Sequence, residues 1–141
     1  MKNGDEEKIK ALKNYFGREK EVVLAFVFGS RAKGYSREKS DWDIGIYFKP
    51  KSKEIEWEKE DLYPQEDRIW QEVEKIVGQE VDLVVLNRVP CMLVFSILGN
   101  GIPLVIKDRG LFLDLLEKTS YEAIDFRDFI YDFWKIKQKA K

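Results

Sequence analysis

Three aspartates and one Gly-Ser pair are the residues of this chain whose types and spacing can do chemistry. Asp41 and Asp43 flank Trp42 in the run Asp41-Trp42-Asp43-Ile44-Gly45-Ile46-Tyr47-Phe48. Residues two apart on a strand project to the same face. An extended 41–48 segment therefore sets both carboxylates on one side and Trp42, Ile44, Ile46 and Phe48 on the other. Like charges that close repel, and a bridging divalent cation removes the repulsion. Mg²⁺ suits such a pair, because it takes hard oxygen ligands, usually one or two carboxylates plus substrate phosphates. Asp82 interrupts the otherwise apolar segment 81–86. A carboxylate there is costly unless it is paired, solvated or bound to metal. Gly29-Ser30 follows directly on the apolar run Val22-Val23-Leu24-Ala25-Phe26-Val27-Phe28. Glycine permits a tight turn and close backbone approach. The N–H groups after the turn and the serine hydroxyl can cradle phosphate oxygens, with Arg31 and Lys33 alongside as countercharge. Each feature also has a plainer reading: an ordinary strand-ending turn, a polar strand face open to water, a rim aspartate, a solvated lysine.

Composition narrows the alternatives. The chain has 141 residues and no histidine, which excludes Ser-His-Asp triads, Cys-His pairs and histidine zinc sites. Carboxylate, lysine, hydroxyl and metal chemistry remain. The single cysteine, Cys91, permits no intrachain disulfide and reads as a buried thiol in the run Cys91-Met92-Leu93-Val94-Phe95. With 25 basic and 26 acidic residues, the chain has no general attraction for nucleic acid or an anionic membrane, so any polyanion site must be local. The charged segment 1–10 has no signal-peptide core, and no apolar run approaches the ~20 residues of a membrane span. A cytoplasmic protein that binds neither membrane nor nucleic acid directly is expected. Abundant Lys and Glu with few Asn and Gln lean toward a thermophilic source.

The elements that must position these residues follow from periodicity. Ile9, Leu12 and Phe16 mark a helix over 5–18 that Gly17 stops. Segment 22–28 reads as a central strand buried on both faces. Segment 41–48 alternates and reads as a half-buried strand. Loops are expected over 31–40 and 51–60. A helix over 65–77 carries Ile69, Trp70, Val73, Ile76 and Val77 and is capped by Gly78. A third strand covers 81–86. A short apolar helix over 90–98 ends at Gly99-Asn100-Gly101, and Leu104-Val105-Ile106 form a fourth strand. A long C-terminal helix starts after Asp108-Arg109-Gly110 and reaches past residue 135. The expected fold is α/β (α+β), with a mixed sheet of about four strands packed by helices, in a single domain over 1–141.

Gly29-Ser30-Arg31-Ala32-Lys33-Gly34, ten further residues from Ser30 and then Asp41-Trp42-Asp43-Ile44 resemble the signature of the DNA polymerase β-like nucleotidyltransferases. The short chain and that spacing are similar to the minimal nucleotidyltransferase (MNT) antitoxin family. By motif the resemblance covers roughly residues 22–86. It implies that Asp41, Asp43 and Asp82 hold Mg²⁺, that Asp82 helps deprotonate an acceptor hydroxyl, and that Gly29 and Ser30 hold the β- and γ-phosphates, with Lys33 as a further phosphate contact. It also implies transfer of AMP from ATP to a tyrosine of a cognate HEPN-domain ribonuclease toxin, in a type VII toxin–antitoxin pair. HEPN toxins use a histidine, so a chain without one fits the antitoxin half. Two other readings stand beside it: a module that neutralises its partner by contact alone, and a nucleotidyltransferase acting on a small molecule such as an antibiotic.

One further feature bears on partners. Phe112, Leu115, Leu116, Phe126, Phe129, Ile130, Phe133 and Trp134, with Tyr121 and Tyr131, form a wide apolar band on the last helix. It reads either as a face for a partner or a second copy, or as packing across the chain's own sheet.

Overall fold

The computed structural model describes residues 3–29, 42–50 and 63–120. Their element order is α1 (Asn3–Arg18), β1 (Val22–Phe28), β2 (Trp42–Phe48), α2 (Glu66–Val77), β3 (Val81–Val85), α3 (Cys91–Asn100) and β4 (Ile102–Ile106). Residues 109–120 are helical and are termed α4. The remainder of the expected C-terminal helix, with Tyr121, Phe126, Phe129, Ile130, Tyr131, Phe133 and Trp134, lies outside the described residues. So do the two loops expected over 31–40 and 51–60.

The sheet runs β3-β2-β1-β4. β1 pairs antiparallel with both β2 and β4, while β2 and β3 are parallel. β1 is covered on both faces, as its unbroken apolar run requires: Leu24, Ala25, Phe26 and Val27 are all buried. One face of the sheet carries Trp42, Ile44, Ile46 and Leu83 and packs on Ile9, Leu12 and Phe16 of α1 and Ile69, Val73 and Val77 of α2. The other carries Leu24, Phe26 and Tyr47 and packs on Val94, Ile97 and Leu98 of α3 and Leu115 of α4. Phe112 of α4 stacks on Phe26 at 5.9 Å between ring centroids. The described part of the C-terminal apolar band therefore covers the chain's own sheet.

Three expectations need correction. β2 is not half-buried: apart from Asp43 its residues are buried on both faces. The reason is α3, which comes so close that a Cβ on Gly45 would lie 3.3 Å from both Ile97 Cγ2 and Leu86 Cδ2. The alternation in β2 separates two cores rather than core from water. α3 also runs on through Gly99 and Asn100. It stops at Gly101, whose N–H donates to the Ile97 carbonyl and where a Cβ would meet the Ile97 and Val27 carbonyl oxygens. Cys91 is only half-buried. It opens α3, whose buried stripe is Val94, Ile97 and Leu98, so the first turn faces outward and Met92 and Leu93 are exposed.

A polar network ties α1 to α2. Arg68 donates to Glu19 at 2.9 and 3.1 Å and to Glu72 at 3.0 Å, and the Tyr15 hydroxyl donates to Glu72. Burial, followed by that hydrogen bond and the Glu72 charge, pushes the Tyr15 phenol well above its ordinary value. The folded state thus holds this proton more tightly than the unfolded chain does. The contribution is complete below about pH 10, the ordinary tyrosine value, and is lost as pH climbs from there toward the raised folded value. Tyr15→Phe should accordingly flatten the alkaline fall of the melting temperature above about pH 10 while leaving its acid side unchanged. Parallel melting curves for the two proteins across that range would remove Tyr15 as the cause.

Candidate functional site

The strand pairing brings two of the three aspartates together. In the parallel β2–β3 ladder Asp43 lies directly across from Asp82, between the pairs Trp42–Val81 and Ile44–Leu83. Aligned residues on neighbouring strands project to the same face, so both carboxylates stand side by side on the α3 side of the sheet. They lie where β2 and β3 begin and β1 ends. Asp82 is exposed and Asp43 half-exposed, so neither carboxylate is stranded in the core.

This juxtaposition depends on register, because a slip of one residue would send Asp82 to the opposite face. α2 holds the start of β3. Trp70 Nε1 donates to the Val81 carbonyl at 2.8 Å, and the Val81 N–H donates to the Glu74 carboxylate at 3.0 Å. At the other end, buried Asn87 clasps Phe48, accepting from its N–H at 2.8 Å and donating to its carbonyl at 3.1 Å. The Leu86 N–H donates to the Ile46 carbonyl at 2.7 Å. Trp70, Glu74 and Asn87 thus set the position of Asp82. From the sequence, Trp70 reads only as part of the apolar face of its helix, and nothing in the local pattern singles out Glu74 or Asn87. Only the buried state of Asn87 distinguishes it from an ordinary loop asparagine.

Gly29 closes the third side. It follows Phe28, which pairs with Asp43 on the opposite flank of β2 from Asp82. Its φ is +74°, the left-handed region that favours glycine. The Asp43 side chain lies against it: a Cβ built on Gly29 would overlap Asp43 Oδ2 and sit 3.2 Å from Cγ. Gly29 of the expected phosphate turn and Asp43 of the expected metal acids are therefore in contact. Ser30, Lys33 and Asp41 lie outside the described residues. Among the described residues no group of three His, Cys, Asp or Glu gathers as a metal cluster. The donor set that is present, two adjacent solvent-reachable carboxylates with no nitrogen or sulfur donor, fits a hard divalent cation.

Hard oxygen donors beside a glycine turn suit phosphoryl-transfer chemistry, in which a protein chiefly positions groups and neutralises charge. Comparison of the sequence with known families makes that class specific. The family described as Polymerase beta, Nucleotidyltransferase matches residues 10–110, and the chain belongs to it. The matched segment spans Gly29, Ser30, Lys33, Asp41, Asp43 and Asp82. No curated protein matches the chain. Among solved structures, a toxin–antitoxin crystallised with AMP-PNP is 20% identical, with a TM-score of 0.62, covering 89% of this chain and 98% of that one. A MntA–HepT toxin–antitoxin structure is 18% identical, with a TM-score of 0.55, covering 92% and 97%. A tri-AMPylated HEPN toxin from Shewanella oneidensis in complex with its MNT antitoxin yields a match of 16% identity and TM-score 0.55, covering 89% and 98%. At these identities the likeness is one of fold. No helix among the described residues is long and apolar enough to cross a membrane.

Proposed function

We propose that this nucleotidyltransferase transfers AMP from ATP to a hydroxyl, a tyrosine of a HEPN-type partner, and acts as the antitoxin of that pair. The observation that carries the reading is the Asp43–Asp82 pair, held in register on adjacent strands with the Gly29 turn packed on Asp43. The partner and the transferred group are inferred from matched toxin–antitoxin structures, one crystallised with AMP-PNP and one with an AMPylated toxin, and the tyrosine acceptor is what the family resemblance implies.

In this reading Asp41, Asp43 and Asp82 hold Mg²⁺, which when bound neutralises phosphate charge and lowers the pKa of an acceptor hydroxyl. Gly29 and Ser30 present N–H and hydroxyl donors to the triphosphate, and Lys33 adds positive charge. Asp82, the exposed member of the pair, faces the acceptor and takes its proton. The acceptor oxygen then bonds to the α-phosphorus, the bond to the β-phosphate bridging oxygen breaks, and pyrophosphate leaves. No imidazole is needed, in keeping with a chain that has none.

The test uses ATP labelled at the α-phosphate, a divalent cation and a lysate of the source organism. A labelled protein band, made by the wild type and lost in Asp82→Asn, is the expected result. Asp82→Asn should reduce transfer by about a hundredfold or more, because both charge and proton acceptor are removed, while capture of the partner persists. Neutralisation of the partner that survives Asp82→Asn would favour a contact-only antitoxin. ATP-dependent stabilisation with no labelled protein would point to a small-molecule acceptor.

A further inference from the structure

We infer that Gly29 is a positioning residue for Asp43, and that its missing side chain is the space in which the Asp43 carboxylate is held. The inference rests on Asp43 being a metal ligand, as proposed above.

A Cβ at Gly29 would overlap Asp43 Oδ2, stand 3.2 Å from Cγ and 3.5 Å from Cβ. The whole Asp43 side chain thus runs along the vacant side of the Gly29 Cα. Phe28 pairs with Asp43 from β1, and Asp82 pairs with it from β3. The carboxylate therefore leans toward the end of β1. An Asp43 oxygen is held against the Gly29 turn, so Gly29 sets the direction in which Asp43 would present itself to a cation. A positive φ alone does not explain the contact. Gly78 has φ +78° and caps α2, yet a Cβ there would meet nothing within 4 Å. Gly29 combines the same backbone state with a filled Cβ position, and what fills it is the expected metal ligand.

Phosphate contact and ligand positioning are separable, because only the second acts without nucleotide. The probe is Mn²⁺ alone, with free ion counted by its paramagnetic resonance signal, titrated against wild type, Gly29→Ala and Asp43→Asn. A methyl at residue 29 forces the carboxylate out of its place. Gly29→Ala should then weaken Mn²⁺ binding tenfold or more, with only the small loss of melting temperature that a non-glycine residue at positive φ brings. Mn²⁺ affinity within threefold of wild type in Gly29→Ala, with Asp43→Asn impaired, would overturn the positioning role and leave Asp43 as a ligand. Equal Mn²⁺ binding by wild type and Asp43→Asn would overturn the metal reading and this inference with it. If Gly29→Ala is too unstable to titrate, its unfolding is compared in the Asp43→Ala background, where Cγ and both oxygens are gone. Relief of the instability there supports the clearance; equal instability in both backgrounds overturns it.

Discussion

Asp43→Asn should abolish nucleotidyl transfer while leaving the fold intact. The two side chains have nearly the same shape, and Asp43 is half-exposed at the start of β2, so no cavity and no buried orphan charge results. What changes is charge at the one position flanked by both Gly29 and Asp82. A neutral amide oxygen binds a hard cation more weakly than a carboxylate does, and it is the cation that would offset phosphate charge. A loss of about a thousandfold or more is expected, on the order of 4 kcal/mol in the barrier. Single-turnover transfer from α-labelled ATP, with melting curves run alongside, measures it. Added Mg²⁺ should raise the melting temperature of the wild type more than that of the variant, because an ion stabilises the folded state more the more tightly that state binds it. Transfer within tenfold of wild type would remove Asp43 from the chemistry.

Trp42→Ala, one residue away, should do the opposite: destabilise the protein without touching the chemistry directly. Trp42 is fully buried and heads the largest enclosed side chains. It belongs to the core between the sheet and helices α1 and α2, and Lys8 of α1 lies 6.0 Å from its ring centroid. Removing the indole leaves a cavity that a sheet packed on both faces cannot collapse to fill. The cost is about 3–5 kcal/mol, against total stabilities of about 5–15 kcal/mol for native proteins. The urea midpoint should drop accordingly, with an unchanged slope if the transition stays two-state. An unshifted midpoint would mean that the start of β2 is held by other contacts. The two neighbours thus separate along the strand's alternation, one side chain giving stability and the next giving charge.

Much of this was legible in the residues. The continuous apolar run of β1, the helical spacing of Ile9, Leu12 and Phe16, and the cap at Gly78 set those elements within a residue or two, because each signal is local. The placement of Asp82 as an acid interrupting an apolar strand was equally readable, whereas its position opposite Asp43 comes from the parallel pairing. The exposure of β2 and of Cys91 was not readable. Alternation reports two different faces but not what covers each, and the close approach of α3 over Gly45 is a packing event between segments some fifty residues apart. Cys91 sits in an apolar run, but which side of a short helix turns inward depends on the sheet beneath it.

By itself the sequence determined the kind of chemistry open to this protein. The absence of histidine leaves carboxylate, lysine, hydroxyl and metal chemistry, and Asp41, Asp43, Asp82 and the Gly29-Ser30 pair are the groups that could carry it. Tertiary structure alone decided which of those groups meet. The register of β2 against β3, held by Trp70, Glu74 and Asn87, puts Asp82 beside Asp43. The antiparallel pairing of β1 puts Gly29 against the same carboxylate. Residue type sets what a side chain can do, and that is local. Strand register and helix clamps act between distant segments, so the short spacing between Gly29 and Asp43 suits neighbouring strands joined by a loop but does not encode which atoms touch.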